Sequence, residues 1–510
     1  MPLKKTVPPQ ARTSGVFLHI TSLPGRFGVG DMGPAARAWI DRLAQAKQTW
    51  WQFLPTNPAG AGDSPYNALS AFAGDPNLIS PDDLVADGLL GPEDLGAESF
   101  PDDRVDFARV KQFKDRLWPI AVRRFFSVLR PLRTQFDQFV AENLHWLPDF
   151  ALFMALNESR GTGAWRTWDH GLALRDPIAL DTARRQLAAE IRRHELIQFL
   201  FDRQLRALKQ YAMERGVKLM GDLPIFVSEN SADVWANPDL FLLDEDRRPT
   251  FVTGVPPDYF SKTGQRWGSP HYNWAAMERD DFAWWRARIG HLLSFVDRVR
   301  IDHFRGFSAA WQIAADSPTA EKGRWARAPG LKLFQSIQRE LGSLPFIAED
   351  LGLITPGVQR LRDRLRLPGM RVLQFAFNGD PANAFLPHNY ITNTAAYTST
   401  HDTDTAAGWY AALSKDEQHF FRRYASADGV DPSWTLIRLA WSSVADTAMT
   451  TLQDVLELGS EARLNTPGVA GGNWAWRVRE ADLAPNRFEQ LRELTEIYGR
   501  APRPDEPAIA

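Results

Sequence analysis

The sequence predicts a (β/α)8 TIM barrel, an α/β fold, and two observations carry this prediction. Eight short apolar or β-branched runs, each beside turn residues, lie along the 510-residue chain, which matches the strand number of such a barrel. Four of these runs carry a carboxylate near their C-terminal end: Asp222, Asp302, Glu349 and Asp402. The carboxyl ends of parallel barrel strands share one face, where barrel enzymes keep their chemistry. We therefore expect the four acids to meet at one site.

The spacing of the predicted strands is uneven. About 30 residues separate the first two strands, enough for one βα unit, whereas some 160 residues separate the second from the third. The long gap requires an insertion, which we place at about 60–200. The predicted strands, in chain order, are 15–20, 50–55, 217–227, 297–303, 346–349, 370–377, 395–401 and 448–455.

The first insertion has the pattern of a mainly helical subdomain. Residues 105–129 carry apolar side chains at three- and four-residue steps, and residues 181–216 continue that period until Gly216. A second insertion, at about 228–296, is rich in Pro, Gly, Tyr and Trp. This composition predicts a loop subdomain with a lid over the strand ends.

The whole chain is expected to form one catalytic unit. The barrel with its insertions spans 13–500, and Pro-rich tails at 1–12 and 501–510 are predicted to be disordered. About 55 residues follow the eighth strand, too few for a further β-sandwich.

Composition argues against several function classes. Lys and Arg number 59 and Asp and Glu number 62, so the net charge of −3 offers no electrostatic footprint for nucleic acid. The absence of cysteine excludes disulfides, thiolate metal sites and cysteine nucleophiles. The first ten residues are not followed by an apolar run, and no stretch of about 18 apolar residues occurs. We expect a cytoplasmic protein with no membrane partner, metal or cofactor.

The fourth predicted strand suggests a catalytic pair. Alternation along a strand puts Arg300 and Asp302 on the same side, where the guanidinium should keep the carboxylate ionised. An ionised, fixed Asp302 suits a nucleophile. Glu349 lies in an otherwise apolar setting, as a general acid requires.

Two loops add aromatic and polar candidates. The sequence GDSPY places Ser64 and Tyr66 on a tight turn after the second strand, where an aromatic ring can stack on a ligand. Residues 256–268 have the Gly and Pro punctuation of a mobile flap. The flap carries Tyr259, Phe260, Gln265 and Trp267.

The four acidic motifs, GDLPIFV, RIDHFRG, AEDLG and TSTHDT, resemble the four short motifs of the α-amylase clan. Further segments resemble one branch of that clan, glycoside hydrolase family 77, the 4-α-glucanotransferases called amylomaltases or disproportionating enzymes. The resemblance runs from about residue 14 to 477. The segments that carry it are 14–33, 62–80, 231–241, 254–274, 387–390 and 464–468.

This resemblance implies a retaining double displacement. Asp302 would attack C1 of the donor glucose, and Glu349 would protonate the departing oxygen and then activate an acceptor 4-hydroxyl. Asp402 would hold the 2- and 3-hydroxyls of the donor ring, with His401 bonded to the same ring. Asp222 would lie at the floor of this donor subsite.

The resemblance also implies substrates and binding residues. Donors would be maltooligosaccharides and starch- or glycogen-derived α-glucans, and acceptors would be glucans or glucose. Tyr66 would stack on the donor ring, and the flap would border the acceptor. The remaining residues expected to bind substrate are Arg300, Ser64, His303, His388 and Asn389.

Three other functions remain open at this stage. An α-1,4-glucan hydrolase would use the same three carboxylates and differ only in the acceptor. A noncatalytic glucan-binding protein is disfavoured by the intact Asp302, Glu349 and Asp402. A metallohydrolase using His303 and His401 with Asp302 and Asp402 lacks any common ligand spacing.

Overall fold

A computed structural model describes residues 12–128, 130–161, 164–257, 261–469 and 471–502. The predicted disordered tails fall almost entirely on 1–11 and 503–510, outside the described residues. Tyr259 and Phe260 of the predicted flap also lie outside them.

The strands form two sheets. The strands of the described residues are β1 (Thr13–Phe17), β2 (Trp50–Gln52), β3 (Lys218–Leu223), β4 (Phe251–Val255), β5 (Gln265–Pro270), β6 (Arg298–Ile301), β7 (Ala309–Ala314), β8 (Arg324–Arg327), β9 (Phe346–Ala348), β10 (Gly369–Val372), β11 (Thr394–Tyr397) and β12 (Thr447–Thr451). Eight of them close a parallel barrel in the order β1-β12-β11-β10-β9-β6-β3-β2, which confirms the predicted fold class. Each predicted strand region overlaps one of these eight.

Helices surround the barrel, and seven of them lie between β2 and β3. None in the described part of the chain combines the length and apolarity needed to cross a membrane. The α-helices are α1 (Pro34–Gln45), α2 (Pro81–Ala86), α3 (Phe107–Val128), α4 (Arg130–Glu142), α5 (Leu147–Arg160), α6 (His170–Ala173), α7 (Pro177–Gln186), α8 (Ala188–Glu214), α9 (Ala232–Ala236), α10 (Trp274–Arg279), α11 (Ala283–Phe295), α12 (Gly330–Leu341), α13 (Pro356–Arg364), α14 (Ala406–Ala412), α15 (Lys415–Ala425), α16 (Pro432–Ser442), α17 (Leu452–Val455) and α18 (Pro485–Ile497).

The helical periods in the sequence correspond to observed helices. The period over 105–129 corresponds to α3, and the period over 181–216 covers the end of α7 and all of α8. The helices separate at Leu187, whose φ of −109° and ψ of 23° leave the helical region.

An apolar cluster fills the barrel below the strand ends. Buried side chains from six of the eight barrel strands contribute to it. Because strand side chains alternate, residues two positions apart along one strand point to the same side. Asp222 is two positions after Met220, and Glu349 is two positions after Ile347, so both acids lie over this core. The cluster comprises Trp50, Met220, Ile347, Met370, Val372, Ala395, Tyr397 and Met449.

A second, antiparallel sheet in the order β5-β4-β7-β8 was not predicted. Its strands β4 and β5 lie in the segment where we expected loops. Gly254 and Gly268 interrupt their patterns, and β4 and β5 shift register between Val252 and Gly254. The other two strands, β7 and β8, come from beyond β6, so the pairing depends on long-range contacts that a local pattern does not reveal.

Candidate active site

Three of the four acids arise from neighbouring strands. Asp222 lies in β3, Asp302 directly follows β6, and Glu349 directly follows β9. These strands are adjacent, and Ile301 of β6 pairs with Ala348 of β9. Asp302 and Glu349 therefore leave their strands at the same level, on strands that are about 4.8 Å apart.

A buried guanidinium organises one side of the site. Arg300 Nη1 donates to Asp222 Oδ2 at 2.6 Å and to Tyr66 Oη at 3.4 Å. Its Nη2 lies 3.2 Å from Asp302 Oδ1, which confirms the predicted pair on one strand face. The Arg300 and Asp222 side chains are 5% and 0% exposed. Asp222 is thus a closer partner of Arg300 than Asp302 is, a role that was not predicted for it.

The ionisation of Asp302 reflects two opposing effects. Burial raises its pKa to about 6, while the Arg300 charge opposes the rise. Arg300 therefore favours the carboxylate as expected, but its effect is smaller than that of burial. At neutral pH Asp302 is mainly ionised, as a nucleophile requires.

Glu349 has the opposite ionisation at neutral pH. Burial raises its pKa to about 8 despite the Arg300 charge, and the nearby Asp302 carboxylate adds to the rise. Its Oε2 accepts a hydrogen bond from the backbone N–H of His303 at 2.6 Å. His303 has a φ of +47°, an uncommon left-handed conformation for a non-glycine residue. A fixed carboxyl that keeps its proton suits a general acid.

The His303 side chain lines the same region. Burial lowers its pKa to about 3, so the imidazole is neutral. Nε2 is buried and has no hydrogen-bond partner among the described residues. The ring meets Trp267 edge-on, with 4.8 Å between ring centroids.

Asp402 is held in an ionised state on a loop after β11. Burial opposes its ionisation, but the interactions with His401 and Asn465 outweigh burial and hold its pKa below the usual range. Asn465 Nδ2 donates to Asp402 Oδ1 at 2.6 Å, and His401 Nε2 lies 3.2 Å from Oδ2. Arg463 Nη2 donates to the Asp402 backbone carbonyl at 2.6 Å.

Tyr66 links this loop to the Arg300 side of the site. Its ring stacks on His401 with centroids 5.2 Å apart and lies 6.0 Å from Trp474, while its hydroxyl donates to Asp222 at 3.1 Å. Ser64 Oγ accepts from the Tyr66 backbone N–H at 3.3 Å, which fixes the turn. The structure therefore brings Tyr66, Asp222, Arg300 and His401 together, with Ser64 supporting the turn.

The flap residues occupy the second sheet. Gln265 and Trp267 lie on β5, where the Trp267 indole N–H donates to Gln265 Oε1 at 3.2 Å. Trp267 is 41% exposed, one of the few accessible large rings among the described residues. Its contact with His303 brings this ring to the Glu349 side of the site.

His388 and Asn389 are engaged in another part of the chain. His388 hydrogen-bonds Tyr424 Oη and the Pro381 carbonyl, at 2.9 and 3.0 Å. Asn389 Nδ2 donates to the carbonyls of Pro381 and Asn383. These bonds hold the loop between β10 and β11 together and attach it to α15, so a contact with substrate stays a prediction for both residues.

Several residues that shape the site had not been predicted. Asp454, 0% exposed, accepts hydrogen bonds from Thr398, Ser399 and the Ala406 N–H, and so holds both ends of the loop that carries Asp402. Asp454 is an acid near the C-terminal end of the eighth predicted strand, 448–455, which is the same signal that pointed to the other four acids. Asn465 carries no comparable local signal, since it meets Asp402 only through the fold.

The described ranges contain no cluster of three His, Asp or Glu side chains able to hold a metal ion. Three of the four residues of the metal alternative contact protein groups: Asp302 lies beside Arg300, and His401 contacts Asp402 and the Tyr66 ring.

Comparisons with known proteins agree with this geometry. A sequence model of the family described as 4-alpha-glucanotransferase matches residues 18–483. A 4-alpha-glucanotransferase of Thermus thermophilus is 48% identical over 501 residues, covering 96% of this chain and 99% of the relative. The chloroplastic/amyloplastic 4-alpha-glucanotransferase of Solanum tuberosum is 42% identical over 508 residues, covering 98% and 88%. The solved amylomaltase of Streptococcus agalactiae in complex with acarbose aligns with a TM-score of 0.93 at 39% identity, covering 96% of this chain and all of that one.

Proposed function

Because this chain belongs to glycoside hydrolase family 77, the 4-alpha-glucanotransferases, we propose that Asp302 and Glu349 carry out a retaining transfer of α-1,4-glucan segments. One observation carries this assignment: two carboxyl groups at paired strand ends whose pKa values differ in the sense the reaction needs. Retaining enzymes place their two carboxyl groups about 5 to 5.5 Å apart, close to the separation of neighbouring strands.

The first half-reaction breaks the donor. An Asp302 oxygen attacks C1 of the donor glucose while the C1–O4 bond breaks, and the proton of Glu349 passes to the departing O4. The products are a shortened glucan and a β-glucosyl ester on Asp302. The neighbouring Arg300 keeps the attacking carboxylate charged until the bond forms.

The second half-reaction restores the linkage. Glu349, now ionised, takes the proton of an acceptor 4-hydroxyl as that oxygen attacks C1 and displaces Asp302. Two inversions give an α-1,4 bond, and Glu349 regains its proton. The backbone N–H of His303 keeps the Glu349 oxygen in place through both steps.

The remaining groups are proposed to bind the donor ring. The ionised Asp402 accepts hydrogen bonds from the 2- and 3-hydroxyls, the adjacent His401 hydrogen-bonds the same ring, and Tyr66 stacks beside them. Asp222 holds Arg300 beneath the ring. Aromatic and charged groups together match a sugar, which has apolar C–H faces and polar edges.

The proposed donors are maltooligosaccharides and starch- or glycogen-derived α-glucans, and the proposed acceptors include glucose. A cytoplasmic location belongs to the same proposal. Incubation with pure maltotriose, followed by separation of products by length and a count of reducing ends, tests it. Transfer gives both longer and shorter glucans with a constant number of reducing ends. A rise in reducing ends without longer products would indicate hydrolysis and overturn the proposal.

A further inference from the structure

The residue after Glu349 is a buried acid that has no part in the mechanism above. Asp350 directly follows Glu349 beyond the end of β9, and its side chain is 3% exposed. Successive side chains of an extended strand point to opposite faces. Glu349 points into the barrel interior, so Asp350 points outward to the helix layer, where it meets Arg362 of α13.

The junction between β9 and β10 gives the Asp350 carboxylate a structural task. Among the described residues, β9 pairs with β6 at three positions but with β10 at one, Ala348 with Gly369. Asp350 Oδ1 adds a bond across this short junction, since it accepts the backbone N–H of Met370 at 2.8 Å. The strand that carries Glu349 is therefore joined to β10 partly through the next side chain.

Two arginines hold the carboxylate in this position. Arg362 forms an ion pair with Asp350 Oδ2, and Arg371 Nη1 lies 3.5 Å from Oδ1. A buried ion pair is costly to break, because the charge that remains is left uncompensated. The Asp350 carboxylate thus connects β9 to both β10 and α13.

Gly369 shows how closely the carboxylate is packed. A Cβ atom added at Gly369 would lie 2.7 Å from Asp350 Oδ2 and 2.9 Å from Arg362 Nη1. These nearest atoms are the ends of two side chains, so the change Gly369→Ala would displace the carboxylate and alter no charge. It therefore tests the position of Asp350 separately from its charge.

The Asp350 carboxylate also lies close enough to Glu349 to affect its ionisation. Burial is the main cause of the raised Glu349 pKa, and the charges of Asp302 and Asp350 add to the rise. Burial and the Asp350 charge both favour the protonated carboxyl that the first half-reaction needs.

We infer that Asp350 is a positioning residue for Glu349, because it joins β9 to β10 and α13 and so holds the general acid where its proton reaches O4. The inference rests on the proposed function, and it adds a residue that acts through Glu349 and not on the substrate. It implies a loss of activity confined to donors whose leaving group needs that proton.

The test compares two donors, each at saturation, in the first turnover after rapid mixing. Cleavage of maltotriose needs the proton of Glu349, whereas cleavage of α-maltotriosyl fluoride does not. Asp350→Ala should slow the cleavage of maltotriose about 10²-fold, the scale of a misplacement of about 1 Å, and slow the fluoride burst less than about threefold. Gly369→Ala should slow maltotriose about tenfold with the same selectivity, since the carboxylate is displaced and not removed.

Two matched controls should leave both donors unaffected. Asp363→Ala removes an exposed partner of the same Arg362, and Gly290→Ala adds a methyl group in α11 where no other atom lies within 4 Å. Gly369→Ala keeps the test decisive where Asp350→Ala does not fold. Equal slowing of the two donors in either test variant, or unchanged rates, would overturn the inference.

Glu349→Gln separates this failure from a failure of the proposed function. It should slow maltotriose and spare the fluoride burst. Equal loss of both donors in Glu349→Gln would contradict the general acid itself. A selective loss in Glu349→Gln together with an unselective loss in Asp350→Ala would overturn only the role of Asp350.

Discussion

The two sides of the site are built differently. Around Arg300 the groups are buried in a network of charges, with Asp222 fully inaccessible and Tyr66 bonded to both. On the Glu349 side the wall is Trp267, which stands on the second sheet and is 41% exposed. A transferase must hold one sugar firmly through two bond changes and exchange the other in between. The contrast teaches that rigid barrel strands can serve the first task and an accessible inserted sheet the second.

Removal of the nucleophile on the buried side is expected to cause the largest loss of transfer activity. Asp302→Asn should lower transfer at least about 10⁴-fold because an amide cannot form the glycosyl ester. Initial rates on maltotriose and glucan affinity by calorimetry measure the effect, and affinity should be retained. The control Asp246→Asn makes the same chemical change at an exposed residue and should have no effect. Residual transfer above about 1% of the parent rate would contradict the assignment of Asp302.

The next test separates the two carboxyl groups by pH. Activity on glucans should fall below about pH 6, as Asp302 gains a proton, and above about pH 8, as Glu349 loses its proton. The two limbs belong to the coupled pair. Glu349→Gln should slow natural glucans about 10³-fold but spare bond cleavage in a glycosyl fluoride, whose leaving group needs no proton.

With the fluoride donor, fluoride release by Glu349→Gln should lose the alkaline limb and keep the acidic one. The pH profile of the fluoride burst provides the measurement. Equal loss of activity on maltotriose and on the fluoride donor would show that Glu349 is not the general acid.

Asp222 should affect stability more than chemistry. Asp222→Asn leaves the buried Arg300 without its closest counter-charge and should reduce the free energy of unfolding by roughly 3 kcal/mol. Tyr66→Phe removes only the neutral hydroxyl that donates to the Asp222 carboxylate, and it should reduce the free energy of unfolding by about 1 kcal/mol. Urea unfolding of both variants provides the comparison. Similar small losses in the two variants would mean that the Asp222 charge is not what stabilises Arg300.

The smallest expected effect is on the exposed side. Trp267→Ala should raise the ratio of hydrolysis to transfer severalfold while donor cleavage falls less, because an acceptor that binds poorly competes less well with water. Glucose release and chain redistribution from maltotriose are measured together. If hydrolysis and transfer fell in parallel and their ratio stayed unchanged, Trp267 would support the fold and would not bind the acceptor.

The same contrast separates what the sequence could predict from what it could not. Strand regions and the acids at their ends were predictable, because alternation and apolar runs are local and the barrel sets a common face. Arg300 and Asp302 are two positions apart on one strand, so their contact was also predictable.

Contacts made by the tertiary fold were not predictable in this way. Asn465 is 63 residues from its partner Asp402 along the chain. Strand β4 pairs with β7, although β5 and β6 lie between them in the sequence. The net rise in the pKa of Asp302 depends on burial, which a pair of neighbouring residues does not reveal. The antiparallel sheet was missed because its glycine-interrupted strands lack a clear alternation.

The central claim, that Asp302 carries the glycosyl group while Glu349 governs its arrival and departure, is tested most directly by trapping. Glu349→Gln is mixed with α-maltotriosyl fluoride without acceptor, quenched in acid and digested for mass spectrometry. The account predicts a fluoride burst of one equivalent per enzyme and a maltotriosyl adduct on the peptide that contains Asp302. An adduct on another carboxylate, or a full burst with no covalent adduct, would contradict it.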